Sequence, residues 1–176
     1  MTASREFRPL QAQEIALAFE QGGVEYLFLG KSGAILLGYP GTTQDVDIFP
    51  KRGKENGTRI VAALRKIGFL IGPDLEAQIV AGKDFVQIKD GPFDLDLVFA
   101  PDGIPDFDEA KKRELVDGVF HIANLRDIIA SKRATGRQKD LIELPLLESF
   151  RAEFEKRLSS PLKSASETAA GRFKPE

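Results

Sequence analysis

Asp45 and Asp47 stand one residue apart in the run Thr43-Gln44-Asp45-Val46-Asp47-Ile48-Phe49, and this pair constrains the chain more than any other feature. On a strand, residues two apart send their side chains from the same face. Their Cα atoms then lie about 7 Å apart at the usual rise per residue. Two carboxylates at that separation can lean onto one hard cation, and a third acid nearby would complete a two-cation site. Val46 and Ile48 leave the opposite face and suit a core. The run reads as a core strand with a functional edge.

The segments around it fit a mixed α/β chain. Pro9 followed by Ala12, Ile15, Ala16 and Phe19 gives a helical stripe that Gly22-Gly23 ends. Val24 to Leu29 reads as a buried strand, Gly30 to Gly33 as a turn, and Ser32 to Leu37 as a short helix. After a polar connection at 51–57, Ile60, Val61, Leu64 and Ile67 mark a helix closed by Gly68, and Pro73-Asp74 reads as a turn. Residues 85–89 and 93–99 read as a hairpin about Asp90-Gly91, with Asp94 and Asp96 on one side of the return strand. A polar helix at 107–115, a short strand at 118–122 and a helix at 125–134 capped by Asn124 follow. A further helical segment starts near Arg137, where Pro145 either kinks it or opens a new helix.

The expected order is α-β-α-β-α-β-β-α-β-α-α: a mixed sheet flanked by helices, with a helical C-terminal portion, in the α/β (α+β) class. Length predicts one domain over 1–158, and the Ser/Ala/Pro/Lys/Glu composition of 159–176 predicts a flexible tail.

A net charge of −2 argues against a general nucleic-acid coat, whose affinity would rest on clustered cations. With no cysteine there is no disulfide or thiolate–metal site. Neither a signal pattern nor an apolar run of membrane-spanning length is present, so a cytoplasmic protein with no membrane partner is expected. Gly30-Lys31-Ser32 invites a phosphate-loop reading, but that pattern needs glycine at position 25, which is Glu. A serine-hydrolase elbow about Ser32 needs glycine at position 34, which is Ala, and His121 is the sole histidine.

Four carboxylates on two strands, Asp45, Asp47, Asp94 and Asp96, repel one another unless they are separated, protonated or neutralised, and a divalent ion is the economical answer. The stretch from Leu29 to Phe49 resembles the signature of the nucleotidyltransferase superfamily typified by DNA polymerase beta. There a strand ends in Gly-Gly or Gly-Ser, a helix follows, and Asp-x-Asp on a strand is joined by a third acid. The spacing from Gly30 through Gly38 and Thr43 to Asp45 and Asp47 is similar to the AbiEii-type minimal branch, several members of which are toxins. Leu125 to Leu141, with Lys132 and then Arg137-Gln138-Lys139-Asp140, resembles that branch's C-terminal helix. Two departures stand out: Lys31 replaces the second small residue of the Gly pair, and Gly41 replaces an arginine common before Thr-x-Asp-x-Asp.

The resemblance implies transfer of a nucleoside monophosphate from an NTP to a protein or RNA hydroxyl, with an antitoxin protein as a further partner. It implies Mg²⁺ or Mn²⁺ on Asp45, Asp47 and Asp96, with Asp96 preferred to Asp94 because it precedes the apolar pair Leu97-Val98. It also implies nucleotide contacts from Gly30, Lys31, Ser32, Gly33, Thr43 and Lys132. Lys132 lies on its helix's buried stripe, four residues after Ile128, so it either snorkels outward or reaches a polar cleft. Two other readings are compatible: a catalytically idle member that binds nucleotide or a protein, and a DxD-type sugar-nucleotide transferase.

Overall fold

The computed structural model describes residues 8–159; all but one residue of the expected tail lie outside that range. Its elements are α1 (Pro9–Gly22), β1 (Tyr26–Leu29), α2 (Gly30–Leu36), β2 (Asp45–Pro50), α3 (Lys54–Lys66), α4 (Pro73–Ala81), β3 (Phe85–Ile88), β4 (Asp94–Val98), α5 (Phe107–Lys112), β5 (Leu115–Asp117), β6 (Phe120–Ile122), α6 (Leu125–Thr135) and α7 (Gln138–Ser159). The strands form one mixed six-stranded sheet in the order β3-β4-β2-β1-β6-β5, as the α/β reading requires.

All four residues of β1 are buried, so the centre of the sheet is covered on both faces. One helical group is α1 on α3 on α4; the other joins α2, α6 and α7. β2 alternates as the Asp-x-Asp pattern demands: Val46 and Ile48 are fully buried while Asp45 and Asp47 keep some exposure. β2 runs antiparallel to β1, with Leu29 opposite Asp47, and parallel to β4, with Asp45 opposite Asp94 and Asp47 opposite Asp96. The two acidic pairs of the sequence therefore share one end of the sheet.

Several local expectations are revised. α2 begins at Gly30 itself, so the strand runs directly into the helix with no separate turn. α3 starts at Lys54, a turn earlier than its apolar stripe, and Asn56 is buried there because its side chain bonds the backbone of Glu25 and Lys51. Pro73-Asp74 opens α4 rather than a turn: proline sits in the first helical turn, with Asp74 and Glu76 beside it. The strand expected at 118–122 is a hairpin, β5 and β6, with Asp117 opposite Phe120 and a positive φ of 59° at Gly118, as primed turns need. Asn124 caps α6 through the Arg126 N–H, but Asp127 pairs with Arg113 instead of completing a capping box. α7 continues through Pro145; the carbonyl that loses its partner belongs to Leu141, a half-exposed residue.

Candidate active site

The end of the sheet where β1 stops and β2 begins opens into a cleft roofed by α6 and α7. Two adjoining cavities of about 570 Å³ and 300 Å³ share Asp47, Asp96, Lys132, Arg137 and Asp140. Asp45, Lys31 and Thr43 line only the larger; Gly30 lines only the smaller.

β2 and β4 are parallel neighbours in register, so the backbones of Asp47 and Asp96 are one strand spacing apart, about 4.8 Å. Asp96 is 7% exposed. Gln87 is its cross-strand neighbour on β3, and Asp96 Oδ1 is buried with no partner among the described residues. Burial pushes the Asp47 carboxyl up to about 7, and the charges of Asp96 and Asp45 add to this more than Lys132 offsets it. Burial and the Asp45 charge raise Asp96 as well. Both carboxyls are thus raised by burial and by their acidic neighbours, as adjacent acids are without a cation between them. Among the described residues no three His, Asp or Glu side chains are closed about one point. A hard divalent ion held by oxygens of Asp45, Asp47 and Asp96 would offset their mutual repulsion.

Gly30 makes this crowding possible. Its φ is +63°, and a methyl group built there would fall on Asp47 Oδ2. Ser32 contributes from behind: its hydroxyl donates to the Leu29 carbonyl at 3.0 Å and accepts the Asp47 N–H at 3.1 Å. Ser32 and Gly33 are both buried, so neither lines the cleft. The hydroxyl holds the Asp47 backbone. Ser32→Ala is expected to cost about 1–3 kcal/mol in urea unfolding, because it strands that N–H in the interior.

Lys132 takes the cleft route, not the snorkel. Its side chain is 13% exposed, and its ammonium lies 3.4 Å from Asp140 Oδ1 and 3.6 Å from Glu143 Oε2. Asp140 is held more tightly by Arg137, at 2.8 Å. Burial would raise the Asp140 carboxyl, but Arg137 and Lys132 outweigh it and hold the group below its usual range. Glu143 follows the same pattern, with Lys31 and Lys132 lowering it against burial.

The two departures from the family pattern meet in space. A Cβ on Gly41 would lie 3.2 Å from Lys31 Cε and 3.7 Å from its Nζ, so Lys31 lies across position 41. Its ammonium pairs with Glu143 Oε1 at 2.9 Å. Glu143 is a residue that sequence reasoning missed; its one signal was the i, i+3 spacing from Asp140 on the same helix.

The gathered residues are thus Asp45, Asp47, Asp96, Gly30, Lys31, Thr43 and Lys132, while Ser32 and Gly33 stand behind the wall. Thr43 Oγ1 donates to the Asp45 carbonyl at 3.4 Å. His121 is elsewhere, beside Glu114 and Lys111. No protein-family model matches this chain, and no curated protein matches it. Among the described residues no helix is long and apolar enough to cross a membrane.

Proposed function

We propose that this chain is a divalent-cation-dependent nucleotidyltransferase that moves a nucleoside monophosphate from an NTP to a hydroxyl of a protein or an RNA. The observation that carries the reading is the registered set Asp45, Asp47 and Asp96, facing Lys132 across one cleft. The donor set fits Mg²⁺ or Mn²⁺: every ligand atom offered is a carboxylate oxygen, and Asp96 supplies a buried oxygen with no other partner among the described residues. When bound, such ions offset charge on the triphosphate and lower the pKa of the attacking hydroxyl.

The chain's own residues do the rest. Lys132 and Lys31 bind phosphate oxygens on the side of the cleft nearest α7. Exposed Ile142 and Leu146, one turn apart at the cleft mouth, offer an apolar wall for the base. Asp96, beside the smaller cavity, accepts the proton of the acceptor hydroxyl. The hydroxyl oxygen bonds to the α-phosphorus, the bond from that phosphorus to the bridging oxygen breaks, and pyrophosphate leaves.

The idle-member reading has one observation in its favour: Lys31 and Lys132 are both already paired with Glu143. Turnover separates the two. With [α-³²P]NTP and Mg²⁺, label is expected to enter a protein or RNA fraction, with pyrophosphate released and EDTA stopping the reaction. Label entering from the γ position, or transfer indifferent to EDTA, would overturn the assignment. The toxin branch further implies a cytoplasmic setting and a neutralising protein partner. Expression of the chain alone should then arrest growth, and growth unaffected by an active preparation would remove that part of the proposal.

A further inference from the structure

Glu143 stands where the cleft's lysines meet. Its two oxygens take one lysine each, Lys31 from α2 on Oε1 and Lys132 from α6 on Oε2, and the Tyr39 hydroxyl donates to Oε1 at 3.4 Å. An anion that bridges two ammonium groups from separate elements does what a phosphate would do there. We propose that Glu143 is an internal stand-in for phosphate, which the incoming triphosphate displaces from Lys31 and Lys132. This rests on the nucleotidyltransferase reading of the cleft, and it adds a residue that sets nucleotide affinity.

The neighbouring acid shows why Glu143 is the one that moves. Asp140 is only 3% exposed and keeps Arg137 at 2.8 Å if Lys132 turns away. Glu143 is more exposed, carries a longer side chain and sits beside exposed Ile142 at the cleft mouth. It can swing to water without leaving a buried charge unpaired. Lys132 lies more than 3.3 Å from both acids, beyond the usual length of a charge-assisted hydrogen bond, so it is shared and not locked. The bare backbone at Gly41 completes the arrangement, since Lys31 must cross it to reach Glu143.

The opposite role is a strut: Glu143 would hold the lysines in place for the nucleotide. The two roles differ in sign. If Glu143 competes with phosphate, the full-length Glu143→Gln protein binds ATP and inorganic tripolyphosphate more tightly, roughly threefold to tenfold by calorimetry, for a partly exposed pair. If it is a strut, binding weakens. Glu143→Ala provides a second charge-free variant, and thermal unfolding checks that each protein is folded. In a Lys31→Met background the gain from Glu143→Gln is expected to shrink, because the released lysine is missing.

Unchanged or weaker binding by both Glu143 variants, with the wild type binding, overturns the inference and leaves the phosphate site standing. Failure of wild type and variants alike to bind either probe overturns both.

Discussion

Asp47→Asn is expected to abolish transfer while making the metal-free protein more stable at alkaline pH. The first effect follows from the position of Asp47 between Asp45 and Asp96: an amide there removes the central negative charge of the acid set proposed to hold the cation. Loss of about three orders of magnitude or more in labelling rate is the expected scale. The second follows from its titration. The folded carboxyl is raised to about 7 from its ordinary 3.8. A group raised in this way contributes no penalty while both folded and unfolded chains hold the proton, below about pH 4. As pH climbs from 4 to 7 the unfolded chain releases its proton first, so stability falls across that window and stays low above it. The full gap corresponds to at most about 4 kcal/mol. Thermal unfolding in EDTA between pH 4 and 8 should show this slope in the wild type and a flatter one in Asp47→Asn. Mg²⁺ should restore the wild type at pH 8 and do less for the variant. A variant that retains transfer, or equal slopes in the two proteins, would remove Asp47 from the assigned role.

Gly30→Ala is expected to be strongly destabilising. Two costs coincide there. A φ of +63° is strained for any side chain, and the new Cβ would take the space of Asp47 Oδ2. Together they are worth about 2–5 kcal/mol, from backbone strain and overpacking. Urea unfolding measures the sum, and a double-mutant cycle with Asp47→Ala separates the parts. Removing the carboxyl should relieve the collision and leave the strain, so the alanine at position 30 should cost less in that background. Equal cost in both backgrounds would mean that Asp47 does not press on Gly30. Activity should fall even in the folded fraction, because the methyl displaces the central carboxylate.

The sheet and its acids were legible because two rules agree at each position. Period-two patterning put Val46 and Ile48 inward and Asp45 and Asp47 outward, and the same pattern on 93–99 put Asp96 on one side of its strand. The pairing of the two strands was not legible, since in-register parallel neighbours are chosen by tertiary packing. α4 was missed because Pro-Asp opens turns and helices alike, and only the residues after it decide; here Leu75 and Ile79, four apart, supplied the helical answer. The β5–β6 hairpin was missed because three-residue strands carry too few positions for a period to show. At the site, the sequence exposed Lys31 and Gly41 as two separate departures. In the fold they are neighbours, and the lysine lies over the place where a side chain at 41 would begin. Ser32 fits the same lesson: its place in the motif suggested ligand contact, whereas burial turned its hydroxyl toward Leu29 and Asp47.

The register between β2 and β4 has one more consequence. Slipping either strand by a single residue would turn its aspartates into the core and its Val46-Ile48 or Leu95-Leu97 pair outward. A one-residue misalignment of the acids therefore carries the whole cost of an inverted strand. Folding thereby screens out one-residue slips: a molecule that slips either strand by one residue lacks that strand's part of the core. Impaired variants in this region should consequently include few folded molecules in which β2 and β4 have slipped by one residue.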